Sequence, residues 1–258
     1  MLSQPLLDDR LCLQLLPRSA YSARDPVQWP TLGVTLERQQ GVHAIDSDRR
    51  QDFDTWPGTL ALTPAGVEVF SESDAGGEYL LLRWHDEALQ SVLPKTSGRV
   101  QRQGHGRALA LAQQARRLLL EPTPDVLALE HCALQLLALQ AVTDPGCSRP
   151  RPAQFARVLE QVAEQYGQPL SLAQLAASCG QHELRFLRDF TRAVGMTPHA
   201  WLIETRVQAA RRAIDSSDLP LVSIALDAGF AHQSHMGSAF RKVLGLTPSQ
   251  YRARRRAL

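Results

Sequence analysis

The sequence predicts an α+β chain, in which an N-terminal β-barrel with two helices precedes an all-α C-terminal domain containing two helix-turn-helix units. Three observations carry this expectation. Short apolar runs broken by Pro, Gly, Asp and Ser occupy the first hundred residues and read as antiparallel strands. Apolar residues then recur at helical spacing through two long segments. In the last hundred residues one order of residue types appears twice, offset by 49 to 50 positions.

The strand candidates are "LCLQLL", "LGVTLERQ", "TLALTP" and "EYLLLRW", which place a barrel within residues 1–100. From Gly104 the period changes. "GRALALAQQARRLLLEP" and "DVLALEHCALQLLALQAV" form a helical pair within 101–146, separated by Pro122 and Pro124. Their leucine content predicts burial on both sides, either within the domain or at a dimer surface. "TDPGCSRPRPAQ" marks an exposed linker at 147–153, and a C-terminal domain follows at 154–256.

Charge separates the same two parts. Residues 1–150 carry 14 basic and 18 acidic side chains, a net of −4, whereas residues 151–258 carry 14 and 8, a net of +6. The C-terminal part is therefore the one suited to a polyanion. No apolar run approaches the roughly 20 residues of a membrane span, and the acidic start is unlike a signal peptide. A cytoplasmic protein without membrane contact is expected. Cys12, Cys132, Cys147 and Cys179 lie far apart with no CxxC pair, so neither a zinc knuckle nor a disulfide framework is indicated. No nucleophile-elbow, zincin, Walker or Rossmann pattern stands in a plausible context, which predicts no catalytic residues, no cofactor and no enzyme.

The duplication can be followed residue by residue. Leu172, Leu175, Ala176 and Gly180 correspond to Leu221, Ile224, Ala225 and Gly229; Phe190, Gly195, Thr197, Pro198 and Trp201 correspond to Phe240, Gly245, Thr247, Pro248 and Tyr251. Each copy has the parts of a helix-turn-helix, at 172–193 and 221–243. Ala176 or Ala225 is small enough for a second helix to cross closely, and Gly180 or Gly229 supplies the left-handed residue that ends the first helix. Phe186 with Phe190, and Met236 with Phe240, anchor the second helix at a spacing of four. Arg185 and Arg188 in the first copy, and Gln233, Ser234, His235 and Ser238 in the second, are left to meet base edges or phosphates. "PHAWLIETRVQAARRAI" joins the copies as a helix long enough to set two reading helices in successive major grooves, about 34 Å apart.

"SLAQLAASCG", "RVQAARRAI", "SIALDAGF", "QSHMGSAFRKVLGLTP" and the closing "YR" occur in an order and spacing that resemble the DNA-binding domain of the AraC/XylS family of transcriptional regulators. The resemblance implies contacts through Leu184, Leu187 and Arg188 with Arg185 adjacent. The two leucines are either core residues or apolar contacts to a thymine methyl. In the second copy it implies contacts through Gln233, Ser234 and His235, while Ser238 stands where an arginine is common. His182 and His232 occupy cap positions usually held by serine or an acid and are expected to cap weakly. Asp189 is expected to pair with Arg185 or Arg192.

"PGTLALTPAGVEV" resembles the second motif of cupin barrels through Gly58, Pro64 and Gly66, which makes the N-terminal barrel cupin-like. Val69 stands where metal-binding cupins have a histidine, and neither His43 nor His85 belongs to an HxH pair, so no metal is expected. The family resemblance implies a sequence-specific transcriptional regulator, with activation and repression both open, and with double-stranded DNA and RNA polymerase as partners, a homodimer, and a small-molecule effector in the barrel. Two alternatives stand beside it: a ligand-independent regulator whose barrel is a dimerisation or protein-interaction module, and a cupin-type enzyme fused to a DNA-binding domain.

Overall fold

The computed structural model describes residues 1–86, 89, 96–141 and 152–256; most of the expected linker at 147–153, with Cys147, lies outside them. The chain divides into two compact units, Met1–Leu119 with Thr123–Arg149, and Pro150–Leu258 with Leu120–Pro122.

In the first unit the described strands are β1 (Leu2–Leu6), β2 (Leu11–Leu16), β3 (Tyr21–Pro26), β4 (Thr31–Thr35), β5 (Gln39–Ile45), β6 (Gln51–Thr55), β7 (Leu60–Thr63), β8 (Glu68–Ser73), β9 (Tyr79–Trp84) and β10 (Val100–Arg102). They form two antiparallel sheets, β1-β2-β9-β4-β7-β10 and β3-β8-β5-β6. The expected cupin-like barrel is thus open among the described residues, because no ladder of hydrogen bonds joins the edge strands of one sheet to those of the other. Alternating apolar and polar residues specify that one face of a strand is buried, and a closed barrel and two opposed sheets meet that requirement equally. Gly58 and Gly66 turn the chain between strands with φ of +80° and +87°, as the spacing in this segment predicts.

Register explains the core. Leu13 pairs with Leu82, Leu82 with Leu32 and Leu32 with Leu62, so four strands present one continuous leucine layer. Helix α1 (Gly106–Leu119) packs against β4 and α2 (Val126–Ala141) against β1. These are the two helices that periodicity predicts. On the opposite face Leu16, Thr35, Ala61 and Tyr79 turn toward the four-stranded sheet and, with residues of that sheet, line a cavity of about 510 Å³. Val69 is on its wall, at the place where a metal-binding cupin would present histidine. Among the described residues no three His, Cys, Asp or Glu side chains gather as metal ligands.

One buried ion pair ties α1 to the sheet. Arg116 Nη1 lies 3.0 Å from Glu78 Oε2, and both side chains are 1% exposed. Two charges taken this far from water hold each other in place, because either alone would carry the desolvation cost without the attraction that offsets it.

The second unit begins with a 3₁₀ turn (Pro152–Phe155) and continues as α3 (Ala156–Gln165), α4 (Leu172–Ala177), α5 (Glu183–Val194), α6 (Pro198–Ser216), α7 (Leu221–Asp227), α8 (Gln233–Leu244) and α9 (Pro248–Arg256). Two pairs, α4–α5 and α7–α8, coincide with the duplicated stretches. Between them α6 starts with Pro198 at its first turn, capped by Thr197 Oγ1 accepting from the Ala200 amide at 3.2 Å. Its 19 residues span about 28 Å at 1.5 Å each.

Removing the cation of the buried pair by Arg116→Ala is expected to destabilise the first unit by about 3–5 kcal/mol, whereas Glu78→Gln combined with Arg116→Met recovers most of that loss. Urea unfolding of the single and double variants checks this. Equal losses in both would place the effect elsewhere than in the ion pair.

Candidate nucleic-acid interface

The two helix pairs are built by the same local rules. In each, the residue after the left-handed glycine donates its amide to the alanine five positions back: Gln181 to Ala176 at 3.0 Å and Phe230 to Ala225 at 2.9 Å. Gly180 has φ of +62° and Gly229 of +83°. At Gly229 glycine is required twice over, since a Cβ there would lie 2.6 Å from the Tyr166 carbonyl oxygen. Arg206 of α6 donates to that same carbonyl at 2.7 Å and to the Gln168 carbonyl at 3.0 Å, so the second turn is pinned to the loop before α4.

Burial then selects the outward face of each longer helix. Ala176, Phe186 and Phe190 are buried in the first pair, and Ala225, Met236 and Phe240 in the second. Phe155 closes the first core edge-on, 6.0 Å from Phe186 and 5.4 Å from Phe190 between ring centroids. With these anchors inward, α5 exposes Leu184, Arg185 and Arg188, and α8 exposes Gln233, Ser234, His235 and Ser238. Leu187 differs: it is half-buried, and its carbonyl accepts from Thr191 Oγ1 at 2.6 Å. Leu184, by contrast, is 73% exposed, too much for a core residue.

The outward faces differ in charge. On α5, Asp189 lies between two guanidiniums, 3.5 Å from Arg185 Nε and 3.3 Å from Arg188 Nε. The partners are therefore Arg185, as the four-residue spacing suggests, and Arg188, rather than Arg192. Asp189 is mostly shielded while both arginines are well exposed, so the carboxylate can tether the guanidiniums and leave their outer donors available. On α8 the exposed residues at these positions are neutral polar groups and His235, whose ring packs edge-on against Phe230 at 5.3 Å. Arg241 and Lys242 supply cations in its last turn.

The two histidine caps behave differently. His182 makes no cap bond and lies 3.6 Å from Glu183, as expected for a weak cap. His232 does cap α8: its Nδ1 accepts from the His235 amide at 3.1 Å and lies 2.9 Å from Ser234 Oγ. The expectation of a weak cap is corrected there, because the imidazole nitrogen takes the place of a serine oxygen. His232→Ala is expected to cost about 0.5–2 kcal/mol, and His182→Ala close to nothing. Denaturant unfolding of the two variants makes the comparison, and equal losses would remove the cap as the cause.

Residues 175–254 match the helix-turn-helix domain family. The chain is 27% identical to the transcriptional activator NphR of Rhodococcus over 76% of its own length and 62% of NphR, so it spans less than two thirds of that relative. It is 25% identical to the transcriptional regulator ExsA of Pseudomonas aeruginosa over 86% of its length and 89% of ExsA. A crystal structure of the DNA-binding domain of AdpA, a global transcriptional factor in complex with a target DNA, is 31% identical across 42% of this chain and 96% of that one, with a TM-score of 0.39. The motifs, the repeated helix pairs and the relatives agree: the chain belongs to the AraC/XylS family of transcriptional regulators.

Proposed function

We propose that this protein is a sequence-specific DNA-binding transcriptional activator, and that each helix pair is a helix-turn-helix unit with α5 or α8 lying in a major groove. The observation that carries the reading is the repetition of one turn and one anchoring pattern, with only the outward residues changed between copies. A spacer of about 28 Å, with each reading helix offset from its ends, suits grooves about 34 Å apart. Arg185 and Arg188 are the side chains suited to guanine or phosphate, Leu184 to a thymine methyl, and His235 with Gln233 to base edges in the second groove. Ser234 is engaged with His232, and Ser238 and Leu187 contribute fit more than readout. RNA polymerase is the partner through which activation would act, in the cytoplasm.

The first unit is, on this reading, a sensor whose cavity holds a small molecule. Its volume of about 510 Å³ lies in the ordinary range for such sites. One observation favours a protein-interaction role as well: Val126, Leu127 and Leu134 of α2 are exposed, and Leu127 is 76% accessible. A second copy of the chain is the occupant proposed for that face, giving a homodimer.

If α5 and α8 read separate grooves, Arg188→Ala is expected to cost about 1–3 kcal/mol on the preferred site and to flatten preference in one half of it only. His235→Ala flattens preference in the other half. Selection of bound fragments from genomic DNA, followed by base substitution across the site, measures both. A uniform loss on specific and random DNA would reassign Arg188 to a phosphate contact. A site sensitive in one half alone would remove the two-groove arrangement.

A further inference from the structure

The cavity of the first unit is apolar on most of its wall, with Leu16, Ile45, Phe53, Ala61 and Val69 among its lining residues. Arg99, immediately before β10, also lines it. Its Nη1 donates to Thr63 Oγ1 at 3.2 Å, its charge acts on the Tyr79 phenol on the same wall, and its Nε is buried without an acceptor among the described residues. Among the described residues no carboxylate pairs with it. A half-buried guanidinium whose hydrogen-bonded partner is a neutral hydroxyl, and whose Nε is out of contact with water, is open to an anion that would pair with it.

The remaining groups limit what that anion is. His43 stacks on Phe53 with ring centroids 5.3 Å apart, and burial, reinforced by the charge of Arg99, pushes its pKa below the ordinary value. It is therefore neutral near pH 7, and Arg99 supplies the positive charge of this wall. One cation balances one negative charge, whereas a phosphate dianion would call for a second. The planar guanidinium fork matches a carboxylate, and the Tyr79 hydroxyl can accept from Arg99 while donating to the ligand.

Building on the reading of this unit as a small-molecule sensor, we propose that the effector is a monocarboxylate with an apolar body, its carboxylate held by Arg99 and Tyr79 and its body lying against Phe53, Ile45 and Val69. Acids with a flat or slender hydrocarbon part fit such a cavity, whereas one guanidinium does not balance the several charges of a nucleotide.

The test uses the full chain and matched probes: benzoate, cinnamate, 4-phenylbutyrate and octanoate, each beside its primary amide. Thermal unfolding and calorimetric titration are run on the wild type, Arg99→Gln and Arg99→Lys, with circular dichroism to establish that each variant folds. At least one acid is expected to raise the melting temperature and to bind tenfold or more tighter than its amide. Arg99→Gln abolishes that preference, and Arg99→Lys restores part of it. Amides that bind as well as the acids, or an acid preference that survives in Arg99→Gln, would overturn the carboxylate assignment and leave the sensor reading standing. Absence of stabilisation by every acid would likewise overturn the carboxylate assignment and leave the sensor reading standing. Should Arg99→Gln fail to fold, Tyr79→Phe takes its place: a loss of acid preference with amide binding retained supports the assignment, and an unchanged preference counts against it.

Discussion

The left-handed turn that follows Ala176, repeated after Ala225, is the constraint on which the C-terminal unit depends. An amide reaching five residues back to the alanine carbonyl holds the chain in a tight reversal, and only a residue without a Cβ occupies the glycine position without strain. Because the reversal is rigid, the phase of the next helix is set at its first residue. Once Phe186 and Phe190, or Met236 and Phe240, point inward, the outward residues follow from a period of 3.6. The turn determines which side chains are presented, and the core determines that they stay there.

Electrostatics gives the two presented faces different characters. Asp189 lies against the core edge of α5 and restrains two arginines through exposed ion pairs, which are individually worth little in stability but reduce the freedom the guanidiniums would lose on contact with an anion. The carboxylate also moderates the attraction of this helix for any polyanion. On α8 the cations lie in the last turn, at Arg241 and Lys242, where they complement the negative end of the helix dipole, while the first turn carries neutral donors and acceptors. If both faces meet DNA as proposed above, one rich in directional neutral groups and one with two tethered charges would discriminate by different physics, the first through hydrogen-bond pattern and the second through charge and shape.

Much of this was legible in the residues. The two Leu-rich helices and the repeated helix pairs were marked by periodicity and by glycine and proline at the boundaries, because helix signals are local. The exposure of Leu184 against the half-burial of Leu187 was not, since both are leucines and only the packed phase distinguishes them. His232 as a working cap was also hidden, because its Nδ1 must be turned toward the His235 amide by a particular rotamer. Barrel closure is a property of edges rather than of strands, and the period-two pattern is silent about it. The cavity draws on residues as distant in sequence as Leu16, His43, Tyr79 and Arg99, and their convergence depends on which strands pair. A lone arginine before a three-residue strand carries no local sign of the enclosure it enters.

The separation of buried anchor from exposed reader along one helix has an evolutionary consequence. Leu184, Arg185 and Arg188 on α5, and Gln233, His235 and Ser238 on α8, project away from the phenylalanines and methionine that hold each pair together. Exchanging such side chains for others changes what can be recognised while leaving the packed interior intact, since surface substitutions away from caps and cores usually alter stability by less than about 0.5 kcal/mol. If each pair reads its own half of a site, as proposed above, such a duplicated scaffold can drift toward new sequences one half at a time, with the unaltered half keeping the chain on its old address while the other explores.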